Sequence, residues 1–216
     1  MDKSAEAVKV FNKLASLYQE KYMDVSQYAE GLEISCNTLP SPSPRILELA
    51  CGPGNVTRFL LNKKPTLKIT GTDLSENMVA LAKINNPEGD FFVMDCRNLK
   101  ELSGPYEGVV CAFAFPYLTK EEVEQLIFDI SGILSLGGCF YLSTMIGKYE
   151  DSGPRKGSTG DEIYMHFHES DHIENELQKN NFAIINKWEQ PYESLSNPAT
   201  DLIVIAQKKD DHLKSK

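Results

Sequence analysis

The chain lacks the features that define several large protein classes. Its 216 residues contain no CxxC pair, and the five cysteines (Cys36, Cys51, Cys96, Cys111 and Cys139) are odd in number and far apart. That excludes a disulfide framework or a zinc finger and leaves reduced, mostly buried thiols. Lysines and arginines are scattered without forming a stripe, and the formal net charge is −9. No nucleic-acid partner is expected, because nothing is arranged to follow a phosphate backbone. No apolar run approaches the ~20 residues needed to cross a bilayer. The opening MDKSAEAVKV is also too polar for the h-region of a secretion signal. The expectation is therefore a cytoplasmic protein with no membrane partner. His166, His168 and His172 lie close together in a segment without strong zinc spacing, so no metal is expected.

What is present suits one α/β domain with a buried core, at 41% hydrophobic content. From about residue 5 to 38, Val8, Phe11, Leu14, Tyr18 and Tyr22 recur at intervals of three and four. This predicts one or two amphipathic helices, an N-terminal helical cap over residues 1–40. The prolines of LPSPSP, residues 39–44, end it. Strand-like RILELA, LKITGTD, DFFVMD, YEGVVCAFAF and GGCFYLSTM then alternate with helices from Asn55, Glu76 and Thr119. Such alternation implies βαβ units and a mainly parallel sheet covered on both faces. Ser75 reads as a helix N-cap, and Gly137 with Gly138 as the end of the helix before the next strand. Residues 147–161, rich in Gly, Ser, Pro and charge, predict a mobile surface loop. IYMHFH and a helix over about 170–180 follow, then FAIINKWEQ and DLIVIAQKK joined by YESLSNPAT. That connection is too short for a crossover helix, so the last two strands should be antiparallel neighbours. One domain over 41–208 and a disordered tail over 209–216 complete the division.

The segment RILELACGPGNVTRFL runs a strand through an acid into a glycine turn and a helix. Such a turn places ligands at a helix N-terminus, where free N–H groups favour anions. A dinucleotide site would read GxGxxG, yet Thr57 stands where the third glycine belongs. Glu48 would oppose a pyrophosphate but favour a ligand carrying positive charge. Asp73 ends the next strand, where a carboxylate can accept both ribose hydroxyls, and Asp95 follows the one after. Three successive strands thus finish near an acid at the edge where open α/β sheets bind ligands.

ELACGPGN, GTDLSENM and MDCRNL resemble successive motifs of the class I S-adenosylmethionine-dependent methyltransferases. SGILSLGGCFYLSTM resembles their later helix–turn–strand signature, and the likeness spans roughly residues 45–145. It implies a doubly wound α/β fold with a seven-stranded, mainly parallel sheet whose last strand is antiparallel, and S-adenosyl-L-methionine as cofactor. By resemblance, Glu48, Gly52 and Gly54 surround the methionine portion, with Ala50 and Asn55 in the same loop. Ala50 stands where the family often has glycine. Asp73 holds the ribose, Leu74 and Met78 pack near the adenine, Asp95 takes the adenine amino group, and Cys96 lies beside the ring. Ala112 and Phe113 line the floor, and Tyr18 and Tyr22 of the cap approach the methionine end.

Methyl transfer from a sulfonium is an in-line displacement, in which orientation can supply about 7–11 kcal/mol. A base is needed only if the acceptor must lose a proton. Ala114-Phe115-Pro116-Tyr117 departs from the [Asn/Asp/Ser]-Pro-Pro-aromatic motif of nucleic-acid and glutamine amino methyltransferases at its first position, which speaks against nucleobase methylation. Tyr117 can still border the pocket. His166 and His168, spaced to share one face of a strand with Tyr164, are candidates for a base or donor. Hydrogen-bonded surface histidines, or a metal set completed by His172, are the alternatives. The expected activity is methyl transfer to a small-molecule O- or N-nucleophile by a monomer or homodimer. A nicotinamide-dependent oxidoreductase and a non-catalytic cofactor-binding module are the rival readings.

Overall fold

Ile46, Leu47, Glu48 and Leu49 are all buried, which a strand achieves only when helices cover both faces of its sheet. The computed structural model describes residues 3–157, 159–192 and 199–210. Its main sheet comprises β1 (Arg45–Leu49), β2 (Lys68–Asp73), β3 (Asp90–Val93), β4 (Tyr106–Ala112), β5 (Leu134–Ile146), β8 (Phe182–Tyr192) and β9 (Ala199–Lys208). These seven strands stand in the order β3-β2-β1-β4-β5-β9-β8. The β1 to β5 ladders are parallel, and β9 runs antiparallel to both β5 and β8. The last two strands are therefore antiparallel neighbours, as their short connection requires. Residues 193–198 of that connection and 211–216 of the expected tail lie outside the described residues.

Six α-helices among the described residues complete the fold: α1 (Lys3–Tyr22), α2 (Ala29–Thr38), α3 (Asn55–Lys63), α4 (Glu76–Asn85), α5 (Lys120–Ile133) and α6 (Ser170–Lys179). Val123, Leu126, Ile127 and Ile130 of α5 and Ile173 and Leu177 of α6 pack against Leu47, Val109, Phe140 and Val204 on one face. On the other, Leu32 and Cys36 of α2 and Val56, Leu60 and Leu61 of α3 pack against Ile46, Val110, Tyr141 and Ile203. Thus α2 belongs to the core of the sheet. The first helix does not: α1 fully buries only Ala7 and Ala15 and lies across the ends of the strands, against α4 and the turn after β4. No helix among the described residues is long and apolar enough to cross a membrane.

Two expectations need correction. The segment 147–161 holds a 3-10 turn at Tyr149–Asp151 and the strand β6 (Gly153–Lys156), paired antiparallel with β7 (Glu162–Met165). Polar, glycine-rich composition hid the hairpin, because its alternation is weak over strands this short. Gly137 and Gly138 do not end the preceding helix; α5 stops at Ile133, where the Leu134 N–H closes onto Ile130. The glycines lie within the start of β5, beside a register shift between Tyr106 and Gly108, as glycines in strand bulges often do.

Gly54 shows why the turn after β1 requires glycine. Its φ is +77°, and a Cβ there would lie 2.2 Å from Asn86 Nδ2 and 3.3 Å from the Ala82 backbone. Asn86 is buried and donates to the Gly54 carbonyl at 2.9 Å, so α3 and α4 meet with no room between. Gly54→Ala should destabilise the chain by about 2–4 kcal/mol. Urea unfolding followed by circular dichroism checks this, and a loss under half of the lower figure would contradict the packing described.

Candidate active site

The cleft lies above the C-terminal edge of the parallel strands, between the glycine turn and the turn after β4, with α1 as its roof. Its non-atom space, open mouth included, is about 830 Å³. The strand order changes direction between β1 and β4; the helices that follow these strands leave on opposite faces, opening a crevice at this position.

Asp73 organises the near wall. Its Oδ2 accepts the Gly52 N–H at 2.9 Å and its Oδ1 accepts the Ser75 N–H at 2.8 Å. One carboxylate thereby fixes the turns that follow β1 and β2. Burial raises its pKa while those two N–H groups pull it down. Ser75 caps α4 by accepting the Met78 N–H, as its position before Glu76 suggests. Ala50 and Phe113 adopt φ of +52° and +59°, values that side chains other than glycine rarely take. Both line the cleft. Ala50 thus occupies a left-handed position, which explains why glycine suits it.

The far wall is tied together by Arg97. It reaches both oxygens of Asp95 through Nε and donates to Glu122 Oε1 at 2.6 Å. Glu122 Oε2 meanwhile accepts the Thr119 N–H, and Thr119 Oγ1 accepts the Glu122 N–H, a reciprocal cap at the start of α5. Asp95 is therefore held by a cation that is itself anchored on a helix N-terminus.

Of the residues singled out from sequence, Tyr18, Ala50, Gly52, Asp73, Leu74, Met78, Asp95, Cys96, Ala112, Phe113 and Tyr117 all line this one cleft. Six do not. Gly54 faces α4. Asn55 donates to the Tyr22 carbonyl at 2.8 Å, tying α3 to the end of α1. Tyr22 packs behind Tyr18 with ring centroids 4.6 Å apart. Glu48 is buried beneath the loop and accepts from Thr57 Oγ1. A third glycine at position 57 could not make that bond. Burial pushes the Glu48 carboxyl up to about 8, so it is mostly protonated at neutral pH and supplies little negative charge to the cleft.

His166 and His168 lie behind the Phe115–Tyr117 turn and do not line the cleft. The His166 N–H bonds the Pro116 carbonyl at 2.8 Å and His168 Nε2 lies 3.0 Å from the Phe115 carbonyl. With a carbonyl as its partner, His168 Nε2 must carry the proton. Burial lowers both pKa values, so both rings are neutral at pH 7. His172 does not join them: it sits on α6, 3.3 Å from Glu124, so the three histidines form no common metal set. Tyr117 does line the cleft, edge-on to Phe11 at 5.1 Å. Burial raises its phenol pKa, so it can donate a hydrogen bond but does not remove a proton near neutrality.

Comparison with known proteins agrees with this geometry. The sequence profile of a family described as "Methyltransferase domain" matches residues 46–138. A demethylmenaquinone methyltransferase of Thermotoga maritima is 32% identical over 114 residues, covering 53% of this chain and 47% of that protein. A trans-aconitate 2-methyltransferase of Variovorax paradoxus is 45% identical over 101 residues, covering 46% of this chain and 38% of that protein. The matched part thus spans less than half the length of either relative. Among solved structures, magnesium protoporphyrin IX methyltransferase of Synechocystis, with S-adenosylmethionine bound, superposes with a TM-score of 0.70 at 17% identity, covering 97% of this chain and 98% of that one. Residues 46–138 thus match the methyltransferase-domain family, and the chain has the fold of S-adenosylmethionine-dependent methyltransferases of known structure.

Ser4, Val8, Met94, Arg97 and Leu118 also line the cleft, although no motif marks them as site residues. Arg97 was detectable in principle, standing two residues after Asp95 within MDCRNL as one of four arginines in the chain. Ser4, whose Oγ donates to the Tyr117 carbonyl at 2.9 Å, carried no local signal.

The Glu48 shift has a measurable sign. Between its ordinary value of 4.5 and about 8 the folded chain retains a proton that the unfolded chain has released. The stabilisation is complete below the lower value and is lost as pH rises through the upper one. Glu48→Gln should remove this contribution, shrinking the fall in unfolding free energy between about pH 6 and about pH 8 by on the order of 2 kcal/mol. Urea titrations at the two pH values provide the measurement; an unchanged difference would place the proton elsewhere.

Proposed function

We propose that the chain transfers a methyl group from S-adenosyl-L-methionine to a small-molecule acceptor through an O- or N-nucleophile. The observation that carries this reading is the state of Asp73. Each of its oxygens already accepts one backbone N–H, and each retains a further lone pair for a ribose hydroxyl. The neighbouring walls suit the rest of the cofactor. Leu74, Met78, Met94 and Cys96 offer an apolar slot for a purine, and Ala50, Gly52 and Tyr18 border the other end.

When bound, the cofactor supplies an electrophilic methyl on a sulfonium. The chain's own contribution is alignment and exclusion of water. Phe11, Val8 and Ala7 of α1 close the cleft from above, which makes α1 the working part of the N-terminal cap. It is fastened by polar straps: Asn12 Oδ1 accepts from Ser75 Oγ and the Asn77 N–H at 2.9 Å each, and Asn85 donates to Gln19 Oε1 at 2.7 Å. In this reading, the His166 main-chain N–H and the His168 ring hold the turn that presents Tyr117.

Asp73→Ala removes both the ribose acceptor and the anchor of Gly52. By isothermal titration calorimetry it should bind S-adenosylmethionine about 10–100-fold more weakly than the unaltered chain. Equal affinity would overturn the reading. Incubating the unaltered chain with methyl-labelled cofactor and a metabolite extract should label a small molecule.

A further inference from the structure

Asp201 is a buried acid that the cleft described above leaves unused. It lies near the start of β9 and is 1% exposed. Because β9 is antiparallel, its first residues stand beside the last residues of β5, with Asp201 opposite Met145. Asp201 therefore occupies the same sheet edge as the cleft. Its Oδ2 accepts from the Tyr28 hydroxyl at 2.7 Å, while its Oδ1 has no hydrogen-bond partner. Burial raises its pKa, only the Tyr28 hydroxyl lowers it, and no cation acts on it among the described residues.

Aromatic rings lead from this acid to the cleft. The Tyr28 ring packs on Phe113 at 5.1 Å between centroids, and Phe113 is part of the cleft wall. Tyr192, at the end of β8, shares a hydrogen bond with Tyr22. It also lies close enough to Tyr18, Tyr28 and Tyr117 to raise their phenol pKa values. The ladder sets the span: the Phe113 N–H bonds the Ser143 carbonyl at 2.7 Å, Ser143 pairs with Ile203, and Asp201 lies two residues further along β9. With ~4.8 Å between strands and ~3.4 Å per residue, the two backbones are roughly 12 Å apart. That is the reach of a small organic molecule.

We propose that the methyl acceptor is a small organic molecule that carries an ammonium group apart from the O- or N-nucleophile that takes the methyl, and that Asp201 with the surrounding tyrosines forms the subsite for that ammonium. The proposal rests on the methyltransferase reading above. An ammonium supplies both things Asp201 lacks, a donor to Oδ1 and a compensating charge for a carboxylate held out of water. Tyrosine faces attract the same group. A carboxylate acceptor would meet like charge there, and an alcohol would bring a donor without the charge.

The test uses the full chain saturated with S-adenosylhomocysteine and titrated by calorimetry with phenethylammonium, 2-phenylethanol and 3-phenylpropionate. The amine should bind about tenfold or more tightly than the alcohol, and the carboxylate should bind least. Asp201→Asn should weaken the amine about tenfold or more and leave S-adenosylhomocysteine affinity unchanged. Amine binding no better than alcohol binding, or an unaffected Asp201→Asn variant, would overturn the proposal. If that variant does not fold, the comparison of the three probes on the unaltered chain decides. Failure of S-adenosylhomocysteine to bind at all is a separate result, which would overturn the cofactor reading and this subsite with it.

Discussion

Everything in the cleft depends on two backbone turns being held at a fixed separation, and one carboxylate does this. Asp73 receives an N–H from the turn after β1 and another from the turn after β2. Charge-assisted bonds of this kind are among the stronger ones available to a fold. Their position at the end of a central parallel strand lets the interior of the sheet support them. The strained backbone at Ala50 lies in one of the two turns this framework holds, which leaves that residue little alternative. The cost is local, while the anchoring reaches down into the core.

The other acids of the site show how burial assigns different roles to the same functional group. Glu48 and Asp73 come from neighbouring strands, yet Asp73 receives backbone donors from two different turns on its two oxygens, whereas Glu48 is held by Thr57 alone, through its hydroxyl and its backbone N–H. Desolvation dominates at Glu48 and keeps it largely protonated. At Asp95 the Arg97 guanidinium is added to one backbone donor, the Arg97 N–H, and the cap of α5 secures that guanidinium in turn. Three carboxyl groups near one rim therefore do not add up to three negative charges facing a ligand. Asp73 is the one whose donors hold it in place while leaving lone pairs for a ligand.

This distinction marks where the sequence was legible. RILELACGPGN, GTDLSENM and MDCRNL disclosed the alternation of strands and helices and the capping serine through local periodicity and turn chemistry, and, through their resemblance to methyltransferase motifs, seven of the expected residues that meet in the cleft. Glu48 misled because strand alternation states which residues share a face without stating which helix covers that face. His166 and His168 misled for a related reason: their spacing was suited to a shared face, but that face packs on Tyr149 and the Phe115–Tyr117 turn. The hairpin of β6 and β7 was missed because four-residue strands carry too little pattern to outweigh their composition.

The roof of the cleft is built on different terms from its walls. α2 contributes Leu32 and Cys36 to the sheet's own core, so it cannot leave without exposing apolar surface. α1 places Phe11 and Tyr18 over the cleft but is attached mainly through Asn12, Gln19 and the Tyr22 carbonyl. Water can replace such bonds at small net cost, on the order of 1 kcal/mol each. A ligand that gives Phe11 and Tyr18 something to pack against would add apolar burial to these straps. The helix is thus fastened strongly enough to complete the site and weakly enough to admit what fills it, a balance set by Asn12 and Gln19, which lie outside every motif, with partners such as Asn55, Ser75 and Asn77 within them.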